Sequence, residues 1–222
     1  MKRNQSGFTL IEIAIVLVII GLLLGGVLKG QELINSAKVK NLAGDFKSTT
    51  LFIYNYQDKF KALPGDDTLA ANHVTGAIVA TTPVAANVGN GRIDGKWDSI
   101  TATDETFLFW QHVRLSGIAA GGTDTANLAE YKPRNTTGGP LGITNSTAAD
   151  LPITALKGTY IICSANIIGK FAKQLDIALD DGNTASGSVR VILDQVAFTV
   201  GVAASATADV DDTLLYTVCQ GV

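Results

Sequence analysis

The sequence predicts an α+β protein, one long amino-terminal helix packed on a small, mainly antiparallel sheet. Two observations carry this expectation. From Phe8 to about Lys61 the residues follow helical spacing, first as an apolar run and then as an amphipathic stripe. In the last third, short stretches rich in Val, Ile, Tyr and Thr are bounded by turn residues, the pattern of strands. Composition agrees. With 46% hydrophobic and 17% charged residues among 222, wholesale disorder is excluded. A net charge of −3 argues against a general nucleic-acid binder. Two cysteines are too few for a disulfide-rich scaffold, and two histidines exclude histidine-rich metal clusters.

The apolar run is Phe8–Leu28, 21 residues with one charge, Glu12. At a rise of about 1.5 Å per residue it reaches roughly 30 Å, enough to cross a bilayer core. A buried core helix or a secretory signal peptide are the ordinary alternatives. The run is long for either, and no A-x-A-like site follows it. A carboxylate at the centre of such a helix costs about 2.5–3.5 kcal/mol, less near its end, so Glu12 calls for a partner. A snorkelling group near the helix start, favoured by the macrodipole, explains why it is tolerated but not why it is there.

Lys2-Arg3-Asn4-Gln5-Ser6-Gly7 followed by Phe8-Thr9-Leu10-Ile11-Glu12 resembles the type IV prepilin cleavage and methylation signal. It is a short basic leader ending in Gly, then Phe, then Glu as fifth residue from Phe8, then an apolar helix. The resemblance implies cleavage between Gly7 and Phe8 by a prepilin peptidase, N-methylation of Phe8, and a filament-assembly role for Glu12. It also implies a cytoplasmic amino end, which the flanking charges leave undecided because Lys29, Lys38 and Lys40 follow the span. In the growing filament, pairing Glu12 with the Phe8 ammonium of the previous subunit relieves a desolvation cost and fixes register. Gly21-x-x-x-Gly25 and Gly26-x-x-x-Gly30 are small-xxx-small patterns that allow close helix approach, although glycine is common in membrane helices generally. The chain departs from many major pilins in having Lys29 where they carry a proline. Its first proline is Pro64, which leaves room for a minor pilin or a type II secretion pseudopilin.

Beyond the membrane segment, Val39, Leu42, Phe46, Thr49, Ile53, Tyr56 and Phe60 fall at three- and four-residue steps, a stripe interrupted only by Thr49. A separate helix after a break near Gly30 is the alternative. Leu63-Pro64-Gly65-Asp66 is a strong stop, and a continuous helix to Lys61 measures roughly 80 Å. Charge is segregated: residues 29–61 carry six basic and three acidic side chains, residues 62–222 nine and sixteen.

The expected organisation is a leader at 1–7, a membrane and filament-core helix at 8–28, an amphipathic stem at 29–61, a loop-rich insertion at 62–157 and a sheet at 158–222. Within the insertion, 70–88 reads as loop with a short strand and 121–149 as irregular. Between them, Asp104–Ser116 reads as a short helix with Thr103 or Asp104 as N-cap and Phe107, Phe109 and Trp110 as packing residues. Strands are expected at 159–163, 188–193, 195–200 and 213–219. A helix between the first two carries Ile168, Phe171, Ala172, Leu175 and Leu179 on one face.

Cys163 and Cys219 are expected to be bonded if the head lies outside the cytoplasm, as the pilin resemblance also implies; two buried free thiols are the alternative. The bond is expected to staple the carboxy-terminal strand to the first strand of the sheet. No G-x-S-x-G, H-E-x-x-H or P-loop is present, and His73 and His112 lack an evident Cys or Asp partner, so no enzyme activity is expected. No cofactor is expected, with one exception, calcium. Asp180, Asp181 and Asn183 form one acidic cluster, and Asp209, Asp211 and Asp212 a second near the carboxy end, where major pseudopilins carry calcium. Neither has EF-hand spacing, and solvated turns account for both.

These readings converge on a structural subunit of a type IV pilus-like filament. Its expected partners are identical or homologous subunits, prepilin peptidase and the inner-membrane assembly platform, with no nucleic acid. Its expected path runs from an inner-membrane precursor to an extracellular pilus or a periplasmic pseudopilus. A monomeric membrane-anchored binding domain is the alternative of another class.

Overall fold

A computed structural model describes residues 7, 9–83, 85–147, 151–194 and 201–222. The chain divides into two compact units, one ending at Lys38 and the other running from Val39 to Val222. Helix α1, Leu10–Phe60, contributes to both and is continuous through Gly30, so the alternative break is not made.

In the second unit the stem stripe packs as its spacing dictates. Val39, Leu42, Phe46, Thr49, Ile53 and Tyr56 are buried, and Phe60 is packed against the same core. Each large apolar side chain on this face contributes roughly 1.5–3 kcal/mol of transfer free energy. Thr49 does not interrupt the stripe, because its hydroxyl donates to the Asp45 carbonyl (2.8 Å) and leaves the methyl to pack. The helix ends where Lys61 takes a left-handed φ of 57° and its N–H donates to the Gln57 carbonyl (2.8 Å). Gly65 then turns at φ +92°, and a Cβ there would collide with the Glu105 carbonyl.

The insertion differs from expectation in three places. Among the described residues of 70–88 no strand forms. Instead there is a single helical turn α2, Ala70–His73, and a 3₁₀ turn, Ala85–Asn87. The Thr82 N–H donates to the Thr103 carbonyl (3.2 Å) and the Thr82 carbonyl accepts from the Glu105 N–H (3.3 Å), which yields an isolated parallel bridge between Thr82 and Asp104 rather than a ladder. Helix α3, Glu105–Leu115, has Asp104, one of the two expected residues, at its N-cap position, but the Asp104 carboxylate does not cap it; it accepts from the Thr82 and Ser99 hydroxyls. Every residue from Glu105 to Arg114 is buried, not only Phe107, Phe109 and Trp110. The 121–149 region is not wholly irregular, since it contains the turn α4, Leu128–Tyr131, and strand β1, Leu141–Asn145. Gly142 and Asn145 weaken the strand signal of that segment. Gly142 is required there because the Trp97 carbonyl occupies the space of a Cβ.

The remaining elements are β2 (Tyr160–Ile168), α5 (Gly169–Leu179), β3 (Val189–Leu193) and β4 (Leu215–Gly221). The sheet order is β1-β2-β4-β3, with every neighbour antiparallel. β2 runs past Cys163, with an irregularity between Ser164 and Ile167 where Asn166 has φ 57°. Ile168 therefore closes the strand instead of opening the helix. Phe171, Ala172 and Leu175 of α5 are buried as expected. The expected strand at 195–200 lies outside the described residues.

Cys163 and Cys219 are directly opposite in the β2–β4 register and are bonded, with Cα atoms 4.1 Å apart. The bond joins β4 to the second strand of the sheet, because β1 precedes the strand expected to be first. On β3, the Val191 N–H donates to the Thr184 carbonyl (3.0 Å) and its carbonyl accepts from Ser205 N–H (2.7 Å). The Val189 N–H donates to Asp180 Oδ2 (2.9 Å).

Candidate assembly segment

The start of α1 is a capping box. Thr9 is the residue before the helix, and its carbonyl accepts the first intrahelical bond, from Ile13 N–H (3.4 Å). Its hydroxyl oxygen accepts from Glu12 N–H (3.3 Å). The Glu12 Oε2 accepts in return from the Thr9 N–H (2.8 Å) and hydroxyl (2.7 Å). Glu12 is thus held at the helix start by local bonds, which anchor its carboxylate next to the expected processing site. Gly7 is exposed, and Phe8 lies outside the described residues.

From Leu10 to Lys29 every residue is exposed, including Leu10 at 90% and Leu22 at 74%. This helix is long and apolar enough to cross a membrane. A Cβ added at Gly21, Gly25, Gly26 or Gly30 would meet nothing within 4 Å, so no contact within the described chain requires glycine there. At about 100° per residue, Gly26 and Gly30 lie on the same side of the helix as Glu12, and Gly21 and Gly25 on the other. The four glycines therefore form two notches on different faces.

Residues 2–28 match the prokaryotic N-terminal methylation motif. The chain carries a type IV pilin-like prepilin signal. The motif supports a pilin or pseudopilin substrate of prepilin peptidase, and the apolar helix that follows fits a membrane-anchored precursor. No curated protein and no solved structure matches the chain.

The head of this pilin-like chain holds buried polar groups that sequence reading did not bring together. Asp67 accepts from the Tyr56 hydroxyl (2.8 Å), the Leu69 N–H (2.8 Å) and His73 Nδ1 (2.7 Å). His73 therefore has the Asp partner it lacked in sequence, and the trio ties the loop after α1 back to the stem. His112 is fully buried. Its Nδ1 accepts from Gly65 N–H (2.9 Å), so Nε2 carries the proton and donates to the Ile78 carbonyl (2.8 Å). Burial holds its pKa below the usual value, and the neutral ring pins two loops. The spacing of these groups in sequence gave no sign of either arrangement.

Glu105 is fully buried at the start of α3; its Oε2 accepts from Asp94 N–H (2.7 Å) and its Oε1 has no partner among the described residues. Burial, then the nearby Asp66, Asp94 and Asp104, push its pKa up to about 8. The folded state thus holds a proton that the unfolded chain releases near 4.5, and stability contributed here falls as pH rises through that window. Glu105→Gln is expected to flatten the fall in stability between pH 4.5 and about 8. Denaturant midpoints across that range check it; a variant whose midpoint falls as steeply as that of the parent contradicts it.

The second acidic cluster does not gather. Asp211 Oδ1 accepts from Thr213 N–H (2.8 Å) and hydroxyl (2.6 Å), and Asp212 pairs with Lys173, while Asp209 ends a 3₁₀ turn. Among the described residues, the acidic side chains that converge are Asp176, Asp180 and Asp181.

Proposed function

We propose that the chain is a structural subunit of a type IV pilus-like filament, cleaved after Gly7 and polymerised through Phe8, Glu12 and the apolar part of α1. One observation carries the reading: the segment bearing the prepilin signal is an apolar helix whose residues Leu10 to Lys29 are all exposed. Lipid covers it in the precursor, and neighbouring helices replace lipid in the filament. The two glycine notches let backbones approach on two sides. Glu12, on one of those sides, offers its carboxylate to the Phe8 ammonium of the preceding subunit.

A second reading, a type II secretion pseudopilin or minor pilin, is favoured by Lys29 and the unbroken α1. The helix has no proline at which to unwind. Identical or homologous subunits, the peptidase and an inner-membrane platform are the partners in both. Intact-mass spectrometry of protein sheared from the cell surface, set beside the membrane fraction, tests the proposal. A species beginning at Phe8 with about 14 Da added, one methyl group, is expected in the sheared fraction. The same species confined to membranes selects the second reading. An intact leader in cells that have the peptidase overturns both.

A further inference from the structure

The carboxy-terminal end of α5 concentrates negative charge without relief. Asp176 lies on the buried face of the helix, one turn after Ala172, and is 0% exposed. Neither of its carboxylate oxygens completes a hydrogen bond among the described residues, and the Gly182 amide offsets only part of the cost of burial. A buried carboxylate without partners is unfavourable by several kcal/mol unless it takes a proton or a cation. Its neighbours are carboxylates too. Asp180 and Asp181 each place an oxygen within 4.8 Å of it and of one another. The helix macrodipole adds negative potential at this end, and the last turn of α5 has no basic residue.

Asp180 and Asp181 are held in position by backbone N–H groups and, for Asp181 Oδ2, the Ser186 hydroxyl (3.2 Å), rather than by cations. Asp180 Oδ2 accepts from Ser188 N–H (2.6 Å) and Val189 N–H (2.9 Å). Gly187, at φ +73°, is the residue that lets the turn pass this close, since a Cβ there would collide with the Asp180 carboxylate. Asp181 Oδ1 accepts from Asn183 N–H (2.8 Å). Asn183, a candidate ligand in the sequence, turns its own oxygen to Ala185 N–H (3.2 Å), and Asp176 takes its place in the group.

We propose that Asp176, Asp180 and Asp181 form a divalent-cation site suited to calcium. Three carboxylates supply hard oxygen donors only, which favour calcium or magnesium over transition metals. Calcium accepts irregular sets of six to eight oxygens, whereas magnesium demands near-octahedral geometry, so a mixed helix-end and turn site suits calcium. The ion neutralises the buried Asp176 and the helix end together, and ties α5 to the turn that leads into β3. Without it, burial and then the Asp181 and Asp180 charges push the Asp176 pKa up to about 7.

The test uses the full chain in detergent micelles, stripped with chelator, and follows calcium binding by calorimetry and thermal unfolding against sodium chloride of matched ionic strength. One calcium per chain is expected, with Kd of roughly 10⁻⁴ M, the range of extracellular calcium modules, and a Tm that rises with calcium concentration. Asp176→Asn is expected to weaken calcium binding at least tenfold while melting no lower than the parent in chelator, because it also removes a buried charge. Asp211→Asn is expected to bind as the parent does. No heat and no Tm shift up to about 10 mM calcium, well above that range, overturns the site and leaves a shared proton as the neutralising species. Parent-like binding by Asp176→Asn overturns it equally.

Discussion

Glu12→Ala is expected to leave the chain in the membrane and to reduce filament assembly to background. Insertion depends on the apolar run, and removing a carboxylate from it saves up to about 2.5–3.5 kcal/mol, so membrane levels hold or rise. On the filament proposal, assembly depends on the charge pair and is lost. Alanine also removes the capping box, whose loss costs about 1 kcal/mol at the helix start. Two further variants separate the roles. Glu12→Gln keeps an oxygen to accept from the Thr9 N–H but carries no charge. Thr9→Val keeps the charge and removes the hydroxyl that caps the helix. Charge pairing predicts that Glu12→Gln fails like Glu12→Ala while Thr9→Val still assembles. Sheared-filament yield, normalised to membrane content, gives the answer. Normal assembly by Glu12→Gln contradicts the pairing account and leaves Glu12 a helix cap. Normal assembly by all three variants returns the chain to an anchored domain that does not polymerise through this residue.

Replacing both Cys163 and Cys219 by Ser is expected to lower the stability of the head by about 4 kcal/mol. The bond closes a loop with a sequence separation of 56, and the chain-entropy account assigns such a loop about that much. A domain of this size has a total stability of roughly 5–15 kcal/mol, so the loss is a large share of it. Tm is expected to drop by roughly 8–16 °C, at 2–4 °C per kcal/mol. Thermal unfolding of the parent with and without reductant, beside the double variant, checks it. A drop under about 2 °C contradicts the estimate and points to residual structure that already restricts the unfolded chain as much as the bond does.

The stem was legible because one physical rule governs it. A helix packed on one side must place apolar residues every three or four positions, and Val39 to Phe60 do so. Thr49 falls on the same stripe, and its compatibility with burial is not visible in the spacing because it depends on a bond to its own helix. The prepilin signal was legible because it is contiguous. β1 was not, because its Gly142 is chosen by the backbone of Trp97, 45 positions earlier in the chain (142 − 97), rather than by strand propensity. The Asp67–His73 and His112–Gly65 contacts were invisible for a related reason, since loops carry no period. Asp176 has a faint signal, an acidic residue one turn after Ala172 on the apolar face of α5, but nothing in its spacing marks it as unpartnered.

The bonds made by Val189 and Val191 have a consequence for how copies of this protein meet. An outer strand with vacant amides and carbonyls is a template for another strand, and protein held at high local density is most exposed to that error. In β3, the outward N–H groups of both residues and the carbonyl of Val191 are already taken, by Asp180, Thr184 and Ser205. The rim of the sheet is closed to edge-to-edge stacking at those positions. Strand addition along this edge would first have to displace the Asp180, Thr184 and Ser205 bonds.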